Sequence, residues 1–307
     1  MILSRQLAEV KDHLHAGNNF WSMEALCNRL HDGQLAVLRH IIKADPSFFA
    51  TSVDIDFVAL QATYDLPLNA RLGTRLLFTE GRQGVGANSP GEQIGQQKLR
   101  DFLSDTAPAF TNLTPYGITM QGAQVRVIPT PSDAVTGAIR VWFNPSFGNM
   151  IEGPISAAAS STTFALWQGA GNFTTELGYV DPRNDYYNGM TVLVSEGTGL
   201  GQVRTISDYV GSTGVFTVSS AFSPVLSTTD SILSILSPVP EDFHSLQVLY
   251  AALDASIKGS KRYQTLRDRI FGSQQQKVGS LADLLAWISA RMDDQNTSTP
   301  PYVDGWN

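Results

Sequence analysis

Five histidines, one cysteine and a short run of acids and tyrosines are the residues of this chain with the means to do chemistry. His13 and His15 lie two apart, so on a helix they point to different faces. None of His13, His15, His31, His40 and His244 stands in the HExxH spacing of a helical zinc site. The five read as ordinary surface residues. Cys27, the single cysteine, excludes a cysteine-based zinc site and an intrachain disulfide. Between Leu26 and Leu30 it reads as a small buried apolar residue. Asp181 and Asp185 stand with Tyr179, Tyr186 and Tyr187, and paired carboxylates beside aromatics bind or hydrolyse sugars. The same pattern also arises in a turn that begins Asp-Pro, as Asp181-Pro182 does. EF-hand spacing and the nucleophile-elbow pattern are missing. No catalytic, cofactor-binding or metal-ligating set is therefore expected.

The glycine cluster Gly197, Gly199 and Gly201 needs the elements around it to be understood. A dinucleotide site requires a helix opening directly after the glycines. Here an apolar run at 191–195 precedes them and another at 202–206 follows, so the expectation is a β-hairpin with positive-φ glycines in its turn.

The remaining elements follow from apolar spacing. Leu3, Leu7, Val10 and Leu14 mark one face of a short helix, stopped by Gly17-Asn18-Asn19. Ser22 is the expected N-cap of a second helix, with Glu24 in its first turn, carrying Leu26, Leu30, Val37, Leu38, Ile41 and Ile42 and ending near Asp45-Pro46. Asp32-Gly33 inside it marks a break or kink. From Val53 the period becomes two, with Val53, Ile55 and Phe57 alternating with Asp54 and Asp56. Tyr64-Asp65-Leu66-Pro67 leads to a strand around 72–78, then a glycine-rich loop at 81–95 and a short helical stretch at 92–105. A hairpin is expected from 116–120 through Gln121-Gly122 to Val125, Val127 and Ile128, followed by a strand with Ile139, Val141 and Phe143.

Residues 155–236 are rich in Ser, Thr and Gly with short strands, the signature of a small sandwich or barrel. Phe216 and Val218 alternate after a turn at 211–214. Helical spacing resumes at Pro240-Glu241-Asp242, with proline and acids at a helix start and Phe243, Leu246, Leu249, Leu253 and Ile257 as the apolar face. Ser280 to Asp283 resembles a capping box ahead of the stripe Leu281, Leu284, Leu285, Ile288 and Met292. Short helices depend on burying such stripes, so the helices of both ends are expected to pack together. The fold class expected is α+β: a discontinuous helical domain from both termini (1–50 and 238–295), a central antiparallel β domain (51–150), an inserted small β-sandwich or barrel-like domain (151–237) and a flexible tail (296–307).

The net charge of −7 argues against a general nucleic-acid-binding surface. Acids dominate 151–237, where Glu152, Glu176, Asp181, Asp185, Glu196, Asp208 and Asp230 face only Arg183 and Arg204. The reverse holds at 258–277, where Lys258, Lys261, Arg262, Arg267, Arg269 and Lys277 face Asp268 alone. This split fits two different neighbours or two solvated faces. No stretch approaches the roughly 20 apolar residues of a membrane span, so no membrane partner is expected. The first residues lack the apolar run of a signal peptide.

Three parts of the chain, in order, resemble the head-to-tail adaptor (connector) proteins of tailed bacteriophages, chiefly the short-tailed type. They are the helical stretch from Leu26 to Ile42; the pair Tyr64-Asp65-Leu66-Pro67 and Tyr116-Gly117-Ile118, with Ile128-Pro129-Thr130-Pro131 leading into Ile139 to Asn144; and Val239-Pro240-Glu241-Asp242-Phe243 opening a helix with Leu249-Tyr250-Ala251-Ala252. The inserted block is separately similar to a phage virion β-module through Tyr187-Asn188-Gly189, Gly197-Thr198-Gly199-Leu200-Gly201-Gln202-Val203-Arg204 and Ile206-Ser207-Asp208-Tyr209. The resemblance implies a structural, non-enzymatic subunit of the virion at the head–tail junction, assembled in the host cytoplasm without cofactors. It implies a homo-oligomeric ring, typically a dodecamer, between the portal protein and tail nozzle or fibre proteins, with double-stranded DNA passing through the lumen without specific binding. A weakly acidic lumen repels the phosphate backbone. Lys258, Lys261, Arg262, Arg267 and Arg269, with Tyr302 and Trp306 in the tail, are the candidate portal-binding residues. The alternative is another phage tail component, of tail-fibre-attachment or nozzle type.

Overall fold

The computed structural model describes residues 1–14, 21–66, 76–81, 117–121, 124–128, 130–156, 160–166, 178, 180–273 and 278–297. Among these the chain is mixed α+β, with five helices and antiparallel sheets. It divides into two compact units, one formed by Met1–Asp45, Gly148–Pro182 and Tyr187–Asn307, the other by Pro46–Phe147 and Arg183–Tyr186. The strands of 151–237 thus share a unit with the helices of both ends.

In the first unit, α1 (Leu3–Leu14) buries Leu3, Leu7, Val10 and Leu14, as its spacing predicts. It has no acid in its first turn. The carboxylate of Glu152, from β7 (Ile151–Pro154), fills that place, accepting from Ser4 N and Ser4 Oγ at 2.9 Å each. A carboxylate there satisfies an unpaired N–H and complements the helix dipole. Ser22 caps α2 (Met23–Ala44), accepting from Ala25 N at 3.1 Å.

Helix α2 runs unbroken through Asp32-Gly33, contrary to the expected break. A Cβ on Gly33 would lie 2.6 Å from Gln247 O and 3.1 Å from Ala251 N. The glycine serves close approach to α3 (His244–Ala255), not a bend. A short 3₁₀ turn, Glu241–Phe243, leads into α3. This helix is enclosed on more than one face, burying His244, Leu246, Gln247, Val248, Leu249, Ala251, Ala252 and Ala255. Of its expected stripe, Phe243 and Leu253 are half-buried, and Ile257, past the helix end, is 79% exposed.

Ser260 caps α4 (Lys261–Phe271), accepting from Tyr263 N at 3.1 Å, and Leu266 and Ile270 bury its inner face. In α5 (Ser280–Thr297), Leu284 and Ile288 are fully buried, Leu281 is half-buried, and Leu285 and Met292 are exposed. Ser280 forms no capping box: it already lies in the helix, and its hydroxyl donates to Arg269 O at 3.3 Å. Helices α1, α2 and α4 each pack on α3, and α5 packs on α2 and α4, so elements from both chain ends share one core. No described helix is long and apolar enough to cross a membrane.

Six strands complete this unit: β7, β8 (Thr163–Ala165), β9 (Thr191–Glu196), β10 (Val203–Val210), β11 (Val215–Val218) and β12 (Ile232–Ile235), in the order β7-β12-β9-β10-β11-β8. The two edges meet where Ile155 bridges Leu166, and Ser156 N donates to Ala165 O at 2.7 Å. The sheet is thereby curled into a half-barrel. Its interior holds Phe164 stacked on Phe216 at 4.9 Å, with Tyr209 at 4.5 Å and Tyr187 at 5.3 Å from Phe216.

The second unit has two three-stranded sheets. One is ordered β1 (Thr51–Phe57), β6 (Val135–Phe143), β3 (Leu76–Gly81); the other β2 (Thr63–Asp65), β5 (Gln124–Ile128), β4 (Gly117–Gln121). Inward residues of both, including Ile55, Phe57, Tyr64, Ile118, Val125, Ile139 and Phe143, form one core. Of the strand expected around 72–78, residues 72–75 lie outside the described residues and the described part runs Leu76–Gly81, past the expected end; Tyr64-Asp65, expected as a connector, is itself paired, with Tyr64 opposite Val125. The expected stop at Gly17-Asn18-Asn19, the body of the 81–95 loop, the 92–105 helix and residues 298–307 lie outside the described residues; 296 and 297 still belong to α5.

Candidate interaction surface

Five of the six basic residues singled out at 258–277 belong to α4 and the turn before it, and Lys277 lies outside the described residues. Lys258, Lys261, Arg262, Arg267 and Arg269 are all exposed. Leu266 and Ile270 pin the helix by its inner face. At 3.6 residues per turn, Arg262 and Arg269 share one flank of that buried line and Arg267 takes the other. The charge therefore spreads round the open arc of the helix. The guanidinium of Arg262 also donates to the carbonyl of Leu14, so it closes the end of α1 as well. Exposed apolar residues bracket the cations: Ile257 ahead of α4, and at its end Phe271, 52% exposed. Tyr302 and Trp306 lie outside the described residues.

A cleft of about 260 Å³ opens beside Lys258. Gly33, Ala36 and Leu253 form its apolar part, Tyr250 and Tyr263 flank it, and Asp32 and Asp254 bring carboxylates. Arg29 pairs with Asp254, donates to the Asp254 carbonyl at 3.0 Å and lies over the Trp21 ring at 4.7 Å. Tyr250 is held by His40, whose Nε2 stands 3.1 Å from its hydroxyl. Burial pushes the Tyr250 phenol up to about 12 and His40 below its ordinary value, so phenol and imidazole meet as a neutral pair. The sequence reading missed this cleft. Its one signal was the pair of small residues, Gly33 and Ala36, three apart on a helix face otherwise set with larger side chains.

The other residues with chemical potential are built into the fold. His244 is buried, not on the surface: Nε2 donates to Val239 O at 2.8 Å, and Nδ1 lies 3.0 Å from the Met1 ammonium. That ammonium also pairs with Glu241 at 3.2 Å. Burial, then the nearby ammonium, lower His244. His31 is likewise lowered by burial. Cys27 is half-buried, and burial pushes its thiol up to about 11, which keeps it a thiol at neutral pH.

Around Asp181 the aromatics are interior. The Tyr187 hydroxyl donates to Asn149 Oδ1 at 3.0 Å and accepts from Asp181 N at 2.9 Å, and Tyr209 donates to Asp181 O at 2.6 Å. Both rings are fully buried, so neither offers a face to a sugar. Tyr186 lies under the Arg183 guanidinium at 4.4 Å, and Asp185 takes a φ of +61°. Tyr179 lies outside the described residues. Among the described residues no group of three or more His, Cys, Asp or Glu side chains is placed to hold a metal ion.

The glycine-rich turn is a braced surface feature. Gly197, Gly199 and Gly201 have φ of +76°, +90° and +82°. Asp230 accepts from Thr198 N and Oγ1 at 3.2 and 3.0 Å, while Gln202 accepts from Ser223 N at 2.8 Å and donates to Pro224 O at 3.1 Å. The Ser227 hydroxyl, then the Thr198 hydroxyl and amide, hold Asp230 below the usual carboxylate range. No protein-family model matches the chain, and no curated protein matches it in sequence.

Proposed function

We propose that this chain is a structural subunit of a tailed-bacteriophage particle: a head-to-tail adaptor whose copies form a ring between portal and tail and line the DNA exit channel. The observation that carries the reading is the meeting of helices from both chain ends on one core, with a basic, apolar-bracketed helix left open on its outside. A spacer between two assemblies needs such a base, with strand-rich parts free to meet a second partner. On this reading the helices of 1–50 and 238–295 face the portal, 51–150 and the inserted 151–237 face the tail, and 296–307 reaches toward the portal through Tyr302 and Trp306. Lys258, Lys261, Arg262, Arg267 and Arg269 meet an acidic portal surface. The ring, a dodecamer by resemblance, has heterologous contacts, two different patches on each copy. The chain works in the virion and holds no cofactor.

Charge reversal tests the docking step. Lys261→Glu, Arg267→Glu and Arg269→Glu together alter only exposed side chains, so folding is kept while incorporation into particles falls at least tenfold. Full incorporation of the triple variant contradicts portal docking through α4.

A further inference from the structure

The turn at 58–61, between β1 and β2, sets backbone and side chain at odds. Gln61 N donates to Val58 O at 3.1 Å, and Leu60, third in the turn, has φ +63°. Glycine or asparagine is preferred at such a position, because a larger Cβ crowds the neighbouring carbonyl. The turn is held firmly all the same. Leu60 N donates to Pro131 O at 2.8 Å. The Tyr64 hydroxyl donates to Gln61 O at 2.6 Å and accepts from Val58 N at 3.3 Å. Tyr64 is itself buried and stacked on Phe57 at 5.6 Å. A strained turn braced from below holds Leu60 86% and Val58 50% exposed. Strain that the surroundings over-determine points to use outside the fold, and an exposed leucine in that place points to apolar contact.

The cleft beside Lys258 has the matching form. At about 260 Å³ it falls below the roughly 300–1,000 Å³ of small-molecule sites, and its Gly33, Ala36 and Leu253 surface suits one or two branched apolar side chains. Asp56 and Asp133, both exposed, flank the Leu60 turn in sequence and pairing; of the two carboxylates on the cleft Asp254 is taken by Arg29, which leaves Asp32 beside Lys258, with Lys261 and Arg262 following at the exposed start of α4. We propose that Leu60, with Val58, is a knob that seats in this cleft on a second copy of the chain, with Asp56 and Asp133 meeting Lys258 and Lys261. Knob and cleft are different patches, so the contact is heterologous and repeats from copy to copy. The choice of a second copy rests on the ring reading together with this charge match. A contact of one or two side chains is weak, and it tightens only when a larger partner holds the copies side by side.

Disulfide trapping reads a weak contact directly. In full-length chains carrying Cys27→Ser, one batch bears Leu60→Cys and another Ala36→Cys. Mixing them under mild oxidation yields a dimer linked between positions 60 and 36, at least tenfold above the yield when Leu200→Cys, another exposed leucine position, replaces Leu60→Cys. No excess over that control overturns the inference. Leu60→Gly in the wild-type chain gives a second arm: its Tm is unchanged or raised while self-association at high concentration falls at least tenfold. A lowered Tm shows Leu60 serving the fold, and unchanged association shows the knob idle; either overturns the inference. Trapping without a place at the head–tail junction defeats the ring reading alone, whereas a ring at the junction without trapping defeats the knob alone.

Discussion

At the turn between β9 and β10, glycines at 197, 199 and 201 take the positive φ values, and Leu200 stands 67% exposed among them. At the turn between β1 and β2, Leu60 takes the positive φ itself and stands 86% exposed. The first turn is relaxed: its backbone demands are met by residues without a Cβ. The second stores strain and is held by Tyr64 beneath it. A turn evolved only to connect two strands has no need of leucine at that place, so the contrast separates a structural loop from one kept for contact.

Four changes break or sharpen the contrast, beginning with the largest. Gly197→Ala places a Cβ 2.0 Å from Asp230 O at a φ of +76°. We expect a loss of about 3 kcal/mol or more in urea unfolding; a loss within the scatter of surface substitutions shows that the turn yields and its glycines are dispensable. Tyr64→Phe removes the brace under Leu60 and strands two backbone groups, at a cost of about 1–2 kcal/mol. Near-neutral unfolding free energy in that variant means the hydroxyl holds nothing. Leu60→Asn has the opposite sign, gaining about 0.5–1 kcal/mol by relieving the left-handed strain. A destabilised Leu60→Asn chain shows that the leucine packs.

The smallest expected effect is on pH and separates the two units. The described histidines, His13, His31, His40 and His244, all lie in the first unit, and burial lowers His31, His40 and His244. A base lowered in the fold stays neutral there while the unfolded chain takes up a proton. The stability it contributes is therefore whole above about pH 6.5 and fades as pH falls from there through the lowered values. Hydrogen exchange in α2 and α3 should rise before that in β1 and β6 as the solution is acidified from pH 7 to 5. The reverse order contradicts this.

What the sequence made legible follows from how local each signal is. Ser22 with its following stripe, the alternation of Ile139, Val141 and Phe143, and the glycines at 197, 199 and 201 each act within a turn or a strand, and each appears where spacing predicts. Gly33 misled because its reason is α3, more than 200 residues further along the chain. Helix propensity reads glycine as a break, while packing needs a face without a side chain. Ile257, Leu285 and Met292 continue apolar stripes, yet they stand open, since a stripe wider than its partner is not fully covered. Ser280 has cap chemistry, but the helix starts around it. The cleft was invisible because its residues come from α2, α3 and α4 and the turn between the last two, and Leu60 was invisible because φ is not written in residue type.

Electron microscopy of the purified particle, resolving this chain relative to the portal, decides whether the proposed adaptor role holds. The expected result is a ring of copies beneath the portal, with α4 toward it and DNA in the central hole. Density for the chain only at the distal tail or at the fibre bases contradicts the adaptor reading, as does its absence from the particle.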